Sequence, residues 1–395
     1  MALDFAFTPE QEAFREEIRA FLSKELPPDH WKLQSDREQA PAGQAEFTRS
    51  FVKKLADQGW LTMHWPKEYG GRGASVMEQV IYNEETGYAA APVGIGSQMA
   101  VTMAGPTIMS WGSEELKTEH LPAISRGEAL WCQGFSETNA GSDLASLETR
   151  AVRDGDDYVV NGQKIWTSGA HTADWCMLLV RTDPQARKHK GITYLLMDMR
   201  APGVEVKPII SMMDAHGFNE VWMEDVRIPV RNRVGDENEG WYVATTTLDF
   251  ERSGITRVAW SRRVLEEIVG WVRSNGAVAN KAVTRNALTD LWIAVEVSRL
   301  LSYRVGWMQS QGQVPNAEAS MVKVFGSELA CAITNVGTNL LGLGGGLLRG
   351  STGTPPLYGA LPLGYMGTTT YAIAAGTSEI QRNIIAQRGL GLPRS

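Results

Sequence analysis

Apolar residues recur every three or four positions from Thr8 to about residue 125, and that spacing predicts helices. The segment TPEQEAFREEIRAFLSKEL opens on Thr8 with Gln11 three residues on, a capping-box pattern ahead of an apolar stripe. Further helices are expected over Glu46 to Gln58, Ser75 to Tyr88 and Ser97 to Trp111. From about Ala129 to Val234 the period shortens. There RAVRDGDDYVVNGQKIWTSGAHTADWCMLLVRTD alternates β-branched and aromatic runs with Asp-Gly and Asn-Gly, the strongest short hairpin signals. After Gly240 the helical period returns. Val258, Leu265, Val269 and Val272 mark one stripe, and Leu288, Leu291, Trp292 and Val295 another, which together suggest a bundle. RGSTGTPP reads as a loop. The expected class is α+β, mainly α. Residues 1–128 form an N-terminal all-helical domain, 129–235 a middle β-domain of barrel or sandwich type, and 236–395 a C-terminal four-helix bundle.

Composition narrows the chemistry. A chain of 395 residues, 43% hydrophobic, can bury a large core. Its net charge of −7, with basic residues scattered, offers no footprint for a nucleic-acid backbone. Cys132, Cys176 and Cys331 lie far apart with no paired spacing, which argues against a disulfide frame or zinc site and for a reducing cytoplasm. The N-terminus lacks signal-peptide features and no apolar run is long enough to span a bilayer, so no membrane association is expected. The six histidines are isolated in sequence and read as surface or structural residues, with no metal site. HExxH, P-loop and GxSxG motifs are absent, and GLGGGLLRG does not follow a strand pattern, so a Rossmann site is disfavoured.

Five stretches carry a resemblance: WPKEYGGRG from Trp65, WGSEELKTEHLP from Trp111, QGFSETNAGSDLAS from Gln133, VVNGQKIWTSGA from Val159 and GTSEIQRNIIAQRGLGLP from Gly376. In this order, through essentially the whole chain, they resemble the acyl-CoA dehydrogenases. The resemblance implies an FAD cofactor that carries the hard step, α,β-dehydrogenation of an acyl-CoA thioester, and transfer of electrons to an electron-transferring flavoprotein. It further implies that the Phe135 backbone and the Ser136 hydroxyl meet the flavin ring, that Trp166 packs against it, and that Ser168 donates near its reactive nitrogen. Ser142 approaches the cofactor pyrophosphate or CoA, Gly344 and Gly345 stand in a loose version of the glycine segment near the adenosine, and Thr377 and Glu379 are counted on the cofactor side.

The position where many members carry a catalytic glutamate is Ala375, and a methyl group cannot accept a proton. A subgroup that includes isovaleryl- and long-chain-type enzymes carries the base in an LDxER segment. LDFERSG here makes the matching acid Glu251. On a continuous helix its neighbours would be Thr247, Leu248, Gly254 and Ile255, with no cation among them, a setting that raises a carboxyl toward neutrality. Asp249, Arg252, Gly254 and Gly376 join Ser142 as substrate-side positions, Gly254 leaving room for an acyl chain. The Ala375 amide keeps the family's role of binding the thioester oxygen. Ser378 and Gln381 have capping-box spacing, with Glu379 in the first turn and able to pair with Arg382.

The family's pyrophosphate arginine segment is missing, since the comparable region reads VRSNGAVANKAVTRNAL. The assembly implied is a homotetramer or homodimer, with a heteromer of two related chains left open. An oxidase on the same scaffold and an FAD-poor structural subunit stand as alternative readings. Small residues from Ala91 to Gly105 fit either a roomy acyl pocket or close helix packing.

Overall fold

The computed structural model describes residues 6–27, 30, 43–247 and 253–393. In chain order the helices before the sheet are α1 (Pro9–Glu25), α2 (Gln44–Asp57), α3 (Val76–Tyr88), α4 (Ile95–Met99), α5 (Gly105–Trp111) and α6 (Glu114–Ser125). The strands are β1 (Trp131–Gly134), β2 (Arg150–Asp154), β3 (Asp157–Lys164), β4 (Trp175–Arg181), β5 (Ile192–Asp198), β6 (Val204–Ile210), β7 (His216–Pro229) and β8 (Arg233–Val234). Then follow α7 (Gly240–Thr247), α8 (Ile255–Ser274), α9 (Gly276–Ala279), α10 (Ala282–Ser310), α11 (Asn316–Leu340), α12 (Ala360–Thr368) and α13 (Ser378–Ile384). Helical N-terminal region, middle sheet and C-terminal helices thus appear as the periodicity predicts. The chain packs as two compact units, residues 42–74 with 92–251, and residues 1–41 with 75–91 and 252–395.

In the first of these units the strands run in the order β6-β7-β3-β2-β4-β5-β8, and β1 also pairs with β4. Cys176 to Val180 of β4 are all fully buried, so this central strand is apolar on both faces. β1 pairs with β4 from Trp175 to Leu178, and β2 meets β4 only at Arg181. The chain from 135 to 149 must therefore leave the sheet between them, and it carries Ser136 and Ser142. The Asp-Gly signal holds: Gly155, at φ +65°, turns β2 into β3. Asn161-Gly162 is instead a bulge inside β3, because a Cβ on Gly162 would lie 2.8 Å from Thr149 Cα while Asn161 bonds Asp225 at the break.

The small residues before the sheet have a packing reason. A Cβ on Gly105 would lie 2.0 Å from the Trp65 ring. The indole Nε1 of Trp65 donates to the Val101 carbonyl at 3.2 Å, inside the π-helical turn Ala100–Ala104 that joins α4 to α5.

In the helical unit, Leu265, Ile268, Val272, Leu291, Val295, Leu329 and Ile333 form one apolar core. Trp292 is 37% exposed, so it lies off the buried stripe to which its spacing assigned it. Thr8 caps α1 with the full capping box to Gln11, and Ser75 with Glu78 does the same for α3. Buried Glu84 accepts from Arg15 (2.8 Å), Arg299 (2.6 Å) and Tyr303 (2.6 Å), and Glu85 from Arg15 (2.6 Å) and Arg19 (2.9 Å). Burial alone would raise Glu84, yet these donors hold it below the usual carboxylate range.

Gly87 lets α3 approach α8: a Cβ there would lie 2.6 Å from the Thr256 carbonyl oxygen and 2.8 Å from its Cα. Gly87→Ala should therefore destabilise the protein, because an overpacking cost of about 1–3 kcal/mol outweighs a helical gain of roughly 1 kcal/mol. A melting temperature unchanged or raised in this variant would contradict that packing account.

Candidate active site

The candidates on the β unit gather where the ends of β1 and β3 meet. Ile165 N–H donates to the Ser136 carbonyl at 2.9 Å, which sets the Phe135–Ser136 and Ile165–Trp166 segments side by side. Phe135 is buried with its ring edge-on to Tyr194. Trp166 is a bulky residue at φ +59° and 58% exposed, supported by an edge-on contact with Phe218 at 5.9 Å. A left-handed tryptophan is costly, and placing its ring in water adds to the cost. Its neighbour Thr167 is fully buried. Ser136 and Ser168 are half-buried and Ser142 exposed, and among the described residues their hydroxyls make no hydrogen bond.

Sequence reasoning missed what supports this surface. Lys164, fully buried, donates from Nζ to the Phe135 carbonyl (3.1 Å) and to Glu137 Oε1 (2.7 Å). Glu137 also accepts the Glu148 and Thr149 amides at 2.7 and 2.9 Å. Burial pushes the Lys164 ammonium down from its ordinary value. Burial would raise Glu137, but Lys164 and the amides outweigh it and hold the carboxyl below its usual range; beside that charge the lysine stays an ammonium. The available signal was register: Tyr158, Val160 and Lys164 all turn inward from β3.

The helical unit carries the remaining candidates. Ala375 and Gly376 are both left-handed, at φ +54° and +84°, and Ala375 is exposed. Gln381 Nε2 donates to the Ala375 carbonyl at 3.0 Å. The cap of α13 is Thr377, whose hydroxyl accepts from Ile380 N–H, and not Ser378, which is buried in the first turn. The two left-handed residues place Thr377 one step nearer the helix than the motif spacing suggested. Glu379 does sit in the first turn, held below the usual carboxylate range first by the backbone amide and then by Thr377. Arg382 turns to Glu328 instead, bonding both carboxylate oxygens at 2.7 and 2.9 Å. Gly345 is buried, with a Cβ there 2.2 Å from the Thr338 carbonyl, and Gly344 abuts Pro356.

Glu251, Asp249 and Arg252 lie outside the described residues. Gly254 is the left-handed cap of α8, at φ +62°, with a Cβ there 2.9 Å from Val322 Cγ1. Helix α8 therefore begins at Ile255, after the left-handed Gly254. Lys323, next on α11, has a buried Nζ with no hydrogen-bond partner among the described residues, and burial and Arg257 pull it down to about 8. No three His, Cys, Asp or Glu side chains gather as a metal site among the described residues, and no helix there is long and apolar enough to cross a membrane.

The β unit thus presents an exposed indole with three uncommitted serine hydroxyls, and the helical unit a left-handed turn at Ala375 and Gly376. Three family profiles match in order: acyl-CoA dehydrogenase N-terminal domain (residues 8–128), middle domain (132–226) and C-terminal domain (238–390). The chain is 36% identical to the acyl-CoA dehydrogenase FadE26 of Mycobacterium tuberculosis over 99% of each chain. FadE29 of the same organism is 36% identical over 98% of each. A solved structure described as the Tcur3481-Tcur3483 steroid ACAD matches at 35% identity and TM-score 0.90, covering both chains fully. The ChsE4-ChsE5 complex from Mycobacterium tuberculosis matches at 36% and 0.88, also over both full chains.

Replacing Lys164 by Met would strand the Glu137 carboxylate and should cost about 3–5 kcal/mol in chemical unfolding. The double variant Lys164→Met, Glu137→Gln should recover part of that loss. Because Glu137 is depressed, the pair contributes fully above the ordinary carboxyl value of 4.5 and is lost as pH falls through the folded value. The single variant should therefore show a weaker acid dependence than the parent, and an unchanged one would contradict the pairing.

Proposed function

The chain belongs to the acyl-CoA dehydrogenase family, FAD-dependent enzymes that oxidise acyl-CoA thioesters across the α,β bond, and within that chemistry we propose that Glu251 is the base. Its carboxylate takes the α-proton as the trans-2-enoyl product forms. FAD, when bound, would supply the acceptor for the hydride leaving the β-carbon. The Ala375 amide steadies the thioester oxygen as negative charge develops there. Trp166 would pack against the flavin, the Phe135 backbone and the Ser136 and Ser168 hydroxyls would hydrogen-bond it, and Thr377 and Glu379 are the cofactor-side candidates of the helical unit. Ser142 serves the phosphate-bearing end of cofactor or substrate.

The observation that carries this reading is Trp166: a left-handed, 58% exposed indole on a fully buried foundation is what a flat ligand would complete. Ala375 supports the placing of the base elsewhere, since its position keeps the left-handed backbone without an acid. Gly344 and Gly345, each explained by close packing, are the adenosine-side candidates of the helical unit.

A bulky, ring-bearing acyl group is the substrate class we favour, supported by the relative described as a steroid ACAD at 35% identity. The ChsE4-ChsE5 and Tcur3481-Tcur3483 descriptions each join two chains, which supports assembly with a second related chain here. An electron-transferring flavoprotein is the proposed acceptor. Polycyclic acyl-CoA esters should bleach the flavin anaerobically faster than straight-chain ones, with slow recovery in air. Fast recovery in air would identify an oxidase, and a colourless protein when purified alone would identify a partner-dependent subunit.

Glu251→Gln should keep its flavin and lose bleaching by about 10² to 10⁴. Turnover near that of the parent would remove Glu251 from the mechanism. At Ala375, glycine keeps the amide and the left-handed backbone and should leave the bleaching rate within about threefold, whereas lactic acid at 375, an ester that removes the donor without fixing φ, should cost about 10²–10³. Equal rates in the two variants would exclude the amide as the oxyanion donor.

A further inference from the structure

His171 and His216 have no role in the chemistry above, and sequence separation hid their pairing. Their rings stack at 4.0 Å with 26° between planes. Both bond the side chain of Asn219, which is fully buried: His216 Nε2 donates to Oδ1 at 2.7 Å, and Nδ2 meets His171 Nδ1 at 3.2 Å. Asn219 in turn takes both backbone groups of Thr167. Its carbonyl accepts Thr167 N–H and its Nδ2 donates to the Thr167 carbonyl, each at 3.0 Å. Gly169 N–H also bonds the Gly217 carbonyl at 3.1 Å. The turn from Trp166 to Ser168 is thus fastened to β7 chiefly through one asparagine.

Hydrogen-bond inventory fixes the proton positions. An amide has two N–H groups, one spent on Thr167, so the other must find an acceptor at His171 Nδ1. His171 must then be neutral with its proton on Nε2, and Oδ1 requires the proton of His216 on Nε2. Turning the amide over would set oxygen against the Thr167 carbonyl.

We infer that His171, Asn219 and His216 form a positioning clamp that holds the Trp166–Ser168 turn in its flavin-binding shape only while His171 is neutral. The inference rests on the reading of Trp166 and Ser168 as flavin contacts. A proton on Nδ1 would face an N–H donor in place of an acceptor. His171 is exposed, so a proton can reach it.

The surrounding charges are otherwise committed. β1 has none; on β6, Lys207 pairs with Glu205 at 3.1 Å and lies over Trp222. On β7, Glu220 accepts from Trp222, Asp225 from Asn161, and Arg227 holds Asp154 and Asp157. Glu224 and, at the β6–β7 turn, Asp214 are exposed, while Asp174 bonds Arg200 and the Leu130 amide. Burial first and His216 second push the His171 ring below its ordinary value of 6.5, with Asn219 opposing. A depressed histidine favours the neutral, ordered state above that ordinary value, and the contribution is lost as pH falls through it toward the folded value.

The test uses the holoenzyme and a double variant, His171→Asn with His216→Gln. Asparagine offers an oxygen in place of Nδ1 and glutamine an N–H in place of Nε2–H, so both bonds survive and neither group titrates. Amide exchange at Thr167 and Gly169, corrected for intrinsic rate, should rise between pH 7.5 and 5.5 in the parent and stay flat in the double variant. FAD affinity should fall by about tenfold over the same range in the parent only, the factor supplied by one unit of proton linkage. Asn219→Leu should exchange fast and release flavin at both pH values. Equal pH slopes of exchange in the parent and the double variant would overturn the clamp. If exchange responds as expected while FAD affinity does not, the clamp stands and the flavin contacts assigned to Trp166 and Ser168 fall.

Discussion

The ion pair between Lys164 and Glu137 is the constraint on which the candidate surface depends. An ammonium with no exposed area must keep a carboxylate beside it, and that carboxylate gathers the Glu148 and Thr149 amides as the lysine gathers the Phe135 carbonyl. Three segments that leave the sheet, at the end of β1, before β2 and at the end of β3, are thereby closed around one charge pair. An apolar replacement of equal volume could repair packing. It could not repair the two amides and one carbonyl left without partners, which is why charge rather than oil stands here.

Above that foundation the backbone is fastened by residues from distant strands. Thr167 gives both its N–H and its C=O to Asn219, and Ile165 gives its N–H to Ser136. With neighbours so fully committed, Trp166 has little freedom to relax from φ +59°. The strain is held by bonds on either side of it, and so it can persist at an exposed surface.

Much of this architecture was legible along the chain because it is local. Helical periods, the Thr8 capping box and the Asp-Gly hairpin depend on residues within a few positions of one another, and each appears where spacing put it. What escaped was non-local. Asn161-Gly162 carries a turn signal, yet Thr149 approaches so closely that the pair becomes a bulge in a long strand. Lys164 looked like an ordinary strand lysine until register turned it inward, and His171 and His216 looked solitary because the contact that joins them is a ring stack between strand and turn. Around Ala375, motif spacing located the turn but misassigned its cap, since two successive left-handed residues move Thr377 into that role.

Ala375 itself constrains how such a site can change. A left-handed alanine costs roughly 1–2 kcal/mol relative to its usual conformation, and a residue kept only to fill space would be expected to relax or to become glycine. Instead the conformation is fixed from behind, by the Gln381 bond to its carbonyl and by Gly376, whose own Cβ would lie 2.6 Å from Gln381 Nε2. The turn is therefore specified by its backbone and by the start of α13, independently of the side chain at 375. A carboxylate can be absent from this position without disturbing the direction of the amide that remains.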